Sequence, residues 1–234
     1  AKTFWKPELD IPKNPRWFSP PLYGLPKFGD IFTKRQLVAL TSFSDLVDEV
    51  KKEVLKDAIN IDLHCDSKSL STIETGTKSY SEAIATYAGL CLGRCANYWS
   101  SLTPWGGGFI VQTFGRQAIP MVWDHAEVNP FSNSTGNWSG ASKWIQKVIL
   151  NAIPITKSGN VFQSAAQTQS LSSQRIISTD PPYYDNIGYA DLSDFFYVWL
   201  RKALQSCFPE LFKTLAVPKA EELVATPYRH GGKK

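Results

Sequence analysis

Two adjacent prolines, Pro181 and Pro182, constrain this chain more tightly than any other pair of residues in it. Each fixes φ at about −65° and removes a backbone donor, so neither a helix nor a ladder runs through them. The residue ahead of each is driven to extended backbone. Upstream, the short apolar run Ile176-Ile177 reads as the last part of a buried strand, bounded by turn formers. Downstream, Leu192, Phe195, Phe196, Trp199, Leu200, Ala203 and Leu204 recur at helical spacing within Asp191 to Leu204. That pattern predicts a helix with one buried face. The unit is therefore strand, stiff turn, helix, with Asp180 immediately before the prolines. An acid just past a strand end is where open α/β sheets place ligand chemistry, and the expected fold class is α/β.

The rest of the chain divides into three regions. Residues 1–33 carry Pro7, Pro12, Pro15, Pro20, Pro21 and Pro26 among Trp5, Trp17 and Tyr23. A helix is excluded there, which predicts an extended arm laid over a partner surface, its aromatics packed on the protein body rather than on bases. Residues 34–155 read as mainly helical. Thr33-Lys-Arg-Gln36 is a capping box, followed by Leu37, Leu40, Phe43, Val47, Val50, Val54 and Ala58 on one face. A polar stretch over 60–78 reads as a surface loop, with His64-Cys65 a solvated pair. Ser79-Tyr-Ser-Glu82 reads as a capping box that opens a second helix, whose stripe of Ile84, Tyr87, Cys91, Cys95 and Tyr98 reads as core. A third helix is expected from about Trp138, with Trp144, Ile145, Val148 and Ile149 on its buried side. Residues 156–234 hold the turn, preceded by a short predicted strand at Val161-Phe162.

Composition bounds the function. With 43% hydrophobic and 20% charged residues in 234, the chain is globular and wholesale disorder is excluded. A net charge of +4 permits nucleic-acid binding without demanding it. No signal peptide or bilayer-length apolar run is present, so a cytoplasmic location is expected. Cys91 and Cys95 lie in a helical pattern with no second pair and no nearby histidine, and no metal site is expected. Trp105-Gly-Gly-Gly-Phe109 lacks a preceding strand and a following helix, so it is a turn rather than a phosphate or cofactor loop. Arg116 is suited to a phosphate or a carboxylate.

Asp180-Pro-Pro-Tyr183 after a predicted strand resembles the catalytic motif of the S-adenosylmethionine-dependent amino-methyltransferases, which methylate exocyclic amines of DNA bases. The longer string from Asp180 to Lys202 resembles, more closely, the large adenine-specific DNA methylases that carry a zinc-ribbon insert. Four other stretches share that resemblance: Asn14 to Gly24, Phe28 to Thr33, Thr113 to Asp124 and Pro218 to His230. It implies a partial Rossmann-like methyltransferase sheet with additional helices, S-adenosylmethionine as cofactor, and DNA as partner. The implied reaction is methylation of a base amine, N6 of adenine first, with N4 of cytosine and a protein amide as alternatives.

By the same resemblance the catalytic residues are Asp180, Pro181, Pro182 and Tyr183. The Asp180 carboxylate and Pro181 carbonyl would accept hydrogen bonds from the target amine, and Tyr183 would stack on the base. Tyr184, Asp185, Asn186, Tyr189 and Arg116 are candidates for lining the substrate pocket. In the resembled group the cofactor loop and the zinc ribbon lie upstream of the matching stretches. The chain is therefore expected to be an internal or C-terminal piece, inactive alone, its cofactor-binding residues unknown and its remaining partner the rest of the polypeptide. An acid that often contacts the cofactor adenine in related enzymes has no counterpart in Gln163 to Gln169. A non-catalytic nucleic-acid or partner-binding fragment, or a purely structural domain, is the competing reading.

Overall fold

Thr33 starts the first long helix as its capping box predicts. Its hydroxyl accepts from the Gln36 amide at 3.2 Å, and the Gln36 side chain accepts from the Thr33 amide at 2.8 Å. This computed structural model describes residues 5–14, 16–61, 63, 69–70, 76–152, 159–162 and 164–229. Four α-helices occupy the described residues: α1 Lys34–Asn60, α2 Thr77–Ala96, α3 Trp138–Asn151 and α4 Tyr189–Leu204. One-turn 3-10 helices add Pro20–Tyr23 and Pro227–Arg229. His64 and Cys65 lie outside the described residues.

α2 is the central helix, packing on α1, α3 and α4 in turn. It buries Ala85, Gly89, Gly93 and Ala96, small residues that let its neighbours approach. A Cβ at Gly89 would stand 2.8 Å from Leu204 Cδ1 of α4, so this position sets the distance between the two helices. Glu82 does not complete the expected capping box. It is buried near the start of α2 and accepts instead from the Ser69 hydroxyl and the Leu70 amide. Cys91 and Cys95 are buried as the core reading requires, and burial pushes both thiols up.

The proline-rich arm is part of the core. Trp17, Phe18, Phe28 and Ile31 are each no more than 4% exposed. The arm doubles back on itself, with Ile11 donating to the Pro26 carbonyl at 2.7 Å and Phe28 to the Leu9 carbonyl at 3.0 Å. Phe32 stacks on Phe195 at 5.9 Å and meets Trp199 edge-on at 5.3 Å, which ties the arm to the buried face of α4. Such ring pairs contribute about 0.5–1.5 kcal/mol each beyond the area they bury.

Two expectations are overturned. The α/β class with a Rossmann-like sheet is not observed: the described residues are 41% helical with almost no strand and no sheet. Ile176 and Ile177 are 102% and 64% exposed, and Val161 and Phe162 are 97% and 62% exposed, all in irregular backbone. A β-branched run becomes a strand only when a neighbour offers it a ladder. Here the described pairings are four isolated bridges, none of which involves these segments. The second correction concerns α3, where Trp144, Val148 and Ile149 are 54%, 63% and 46% exposed. Ala141 and the half-buried Ile145 make the inward edge, and the Trp144 ring is covered on one face by the Arg94 guanidinium at 4.8 Å. Val50 of α1 is likewise exposed.

Gly89→Leu is expected to overpack the α2–α4 contact and lower stability by about 1–3 kcal/mol. In a chain of this size each kcal/mol moves the midpoint by roughly 2–4 °C, which a circular-dichroism melt resolves. An unchanged midpoint would mean the two helices do not meet at this position.

Candidate functional site

The stretch from Asp180 to Gly188 is irregular, and its two halves differ. The first half is open. Asp180 and Pro181 are exposed, Pro182 is half-buried, and Tyr183 is 80% exposed. Asp180 has no hydrogen-bond or ion-pair partner among the described residues. The second half is held from several directions. The Tyr184 amide donates to the Pro182 carbonyl at 3.1 Å, and the Asn186 amide to the Tyr183 carbonyl at 2.9 Å. Tyr184 itself sits at φ 47°, a left-handed conformation that costs on the order of 1–3 kcal/mol for a bulky side chain. The Ala225 amide, donating to the Tyr184 carbonyl at 3.0 Å, helps hold it there.

The arm supplies the next two contacts. Arg16 donates to the Asp185 carbonyl at 3.2 Å and to Asn186 Oδ1 at 2.9 Å, with its guanidinium 3.6 Å from the Asp185 carboxylate. The Trp17 indole donates to the Asn186 carbonyl at 3.1 Å. Gly188 lies directly under that indole, where a Cβ would come within 2.7 Å of Trp17 Cζ3. Asp185 and Asn186, expected to line a substrate pocket, are thus engaged in holding the turn to the arm.

The C-terminal tail grips the start of α4. Glu222 accepts from the Ala190 amide at 2.7 Å, satisfying one of the free donors of the first helical turn. Arg229 bridges Glu222 and Asp191, the latter at 2.7 Å. One turn further, Asp194 accepts from the Val217 amide at 2.8 Å and from Lys219 at 2.7 Å. Asp191 and Asp194 are each only 2% exposed. Burial raises the Asp194 carboxyl above the ordinary carboxylate range, with Lys219 and the Val217 amide pulling the other way.

Beside the turn lies a pocket of about 340 Å³. Ile187 and Tyr189 contribute from the turn, Leu192 and Phe196 from α4, and Phe114 from the loop after α2. Arg116 stands at this pocket too, so the structure places Arg116 and Tyr189 at one cavity. Asp180 and Tyr183 are not among its lining residues. Arg16, Trp17, Glu222 and Arg229 were not foreseen as site residues. The signal was present, because all four fall inside the stretches that share the family resemblance.

Trp105 to Ile110 forms a short reversal, with Gly106 donating to the Phe109 carbonyl at 2.8 Å. It neither follows a strand nor opens a helix, so it does not fit a cradle for S-adenosylmethionine. No protein family, no curated protein and no solved structure matches this chain.

Lys219→Met removes the counter-charge from a buried carboxylate and is expected to cost about 3 kcal/mol at neutral pH. The native Asp194 pKa lies above its unfolded value, so the native state is the better proton binder between the two. Its contribution to stability therefore falls as pH rises from the unfolded value, about 3.9, through the raised native one. The variant should accordingly recover toward wild type in denaturant titrations at acid pH. A loss that is equal at acid and neutral pH would contradict the pairing.

Proposed function

We propose that the chain is a segment of an S-adenosylmethionine-dependent methyltransferase acting on an exocyclic base amine, N6 of adenine first. What supports this reading is that four of the distant stretches sharing the resemblance meet at one place. Arg16 and Trp17 hold the residues after Tyr183, Phe32 and Phe114 pack on α4, and Lys219, Glu222 and Arg229 hold its start. A turn braced this way offers Asp180 and Tyr183 to a ligand while its base stays in place. The chain takes the acceptor side of the reaction in this reading, and the donor side rests on the resemblance.

An exocyclic amine on adenine is a weak nucleophile because its lone pair is delocalised into the ring. The Asp180 carboxylate and the Pro181 carbonyl, accepting one hydrogen bond each from the NH2, draw the nitrogen toward sp3 geometry and free that pair. Two prolines limit the backbone reorganisation this requires. Tyr183 provides a stacking face for the base, worth about 1–3 kcal/mol, comparable to the few kcal/mol needed to take a base out of the duplex. A non-catalytic binding module is the second reading, favoured by the placement of Arg116 and Tyr189 in a pocket that Asp180 does not line.

Asp180→Ala and Tyr183→Ala, made in the full natural polypeptide, should each reduce incorporation of labelled methyl into DNA at least a hundredfold (roughly 3 kcal/mol). Their unfolding free energies should stay within about 0.5 kcal/mol of wild type, because both side chains are exposed. Wild-type incorporation by either variant would remove the assignment, and calorimetry showing no uptake of S-adenosylmethionine by that polypeptide would favour the binding module.

A further inference from the structure

The pocket beside the turn has the chemistry of a nucleotide site. Its floor is a pair of half-buried rings, Phe114 and Phe196, with centroids 5.1 Å apart and planes inclined by 32°. Phe195, fully buried, meets both edge-on and keeps them from turning inward. Tyr189, 46% exposed, stands at the same pocket. Arg116 and Gln117 are exposed polar groups at its rim, and the Arg116 guanidinium has no partner among the described residues. At about 340 Å³ the cavity is at the small end of ligand pockets, which run from roughly 300 to 1,000 Å³.

The loop that carries this chemistry is rigidly placed. The Thr113 hydroxyl and amide both donate to the Asn97 carbonyl, at 2.9 and 2.8 Å, and the Phe114 amide donates to Asn97 Oδ1 at 3.0 Å. The Gln112 side chain donates to the Phe114 carbonyl at 3.0 Å. On the far side, Ala118 donates to the Arg116 carbonyl at 2.8 Å and Ile119 to the Trp17 carbonyl at 2.7 Å. Arg116 is therefore held between two anchors, and little ordering of its backbone remains to be done on binding.

We infer that this pocket holds one nucleotide of a single-stranded or unstacked nucleic-acid strand, its base on the Phe114–Phe196 floor and its phosphate on Arg116. An aromatic platform is tolerant of base identity, and a free guanidinium matches a phosphate oxygen pair. This rests on the reading of the chain as a base methyltransferase segment, in which the strand reaches the Asp180 turn beside the pocket. The site would grip a neighbour of the target base, since Asp180 and Tyr183 are not part of its lining.

The test uses the 234-residue chain and a fluorescein-labelled short oligodeoxyadenylate, read by anisotropy over a salt series with no methyl donor present. Arg116→Ala should weaken binding about 5- to 20-fold and reduce the salt slope by about 0.7, the value for one phosphate contact on a single strand. Tyr189→Ala should weaken it about 5-fold or more at an unchanged slope. Wild-type affinity in both pocket variants, or no binding by the unmodified chain at low salt, overturns the inference. So does adenosine monophosphate binding the pocket where the oligonucleotide does not, or S-adenosylmethionine displacing the oligonucleotide. Because no methyl transfer is measured, these results stand or fall apart from the activity of Asp180→Ala in the full polypeptide.

Discussion

Two carboxylates buried one turn apart on α4 govern how the rest of the chain arranges itself. A charge removed from water without a partner costs several kcal/mol, so Asp191 and Asp194 require something to come to them. The tail answers from Val217 to Arg229, with Lys219, the Val217 amide and the Arg229 guanidinium. Once the tail is in place, its Ala225 amide reaches the Tyr184 carbonyl and its Glu222 reaches a free amide in the first turn of the helix. The apolar side of the same helix meanwhile draws in Phe32 and Phe114. One helix thus gathers the arm, the loop after α2 and the tail, and the acidic turn at its start inherits the rigidity of all three.

Because the bracing is distributed, the turn contains little of its own stability. Between Asp180 and Gly188 the internal main-chain hydrogen bonds are two, and Tyr184 is held in a costly conformation. The arm and the tail supply the remainder. Position is set by the braced half, while Asp180 and Tyr183 are left free to meet a ligand. In the proposed reading, a fixed base beneath exposed acceptors limits the backbone reorganisation that binding an amine would require.

What the residues disclosed in advance follows the range of the interactions. The capping box at Thr33 and Gln36 is a contact within one turn, and it forms as read. α4 was legible because its apolar positions keep a helical period through Leu204. The apolar face of α3 was also visible, but the pattern says only that a face is apolar, and no described element covers Val148. The strands failed for a related reason, since a ladder depends on a neighbour the run itself does not encode. Arg16 and Trp17 bond to residues 169 and 170 positions away, which no local period reveals. Asp185 and Asn186 were read as substrate contacts by their nearness to the motif, and that same nearness puts them within reach of the arm.

Residues 176 to 179 leave a sticky length of backbone on the surface: two isoleucines open to water, and no main-chain bonds among the described residues. Backbone left unpaired in this way gives a passing chain something to pair with. The two prolines that follow have no amide hydrogen to give, so an intruding strand could not be extended past Asp180. The pair that stiffens the acidic turn therefore also acts as a gatekeeper, confining unwanted cross-chain zippering to the few residues ahead of Asp180.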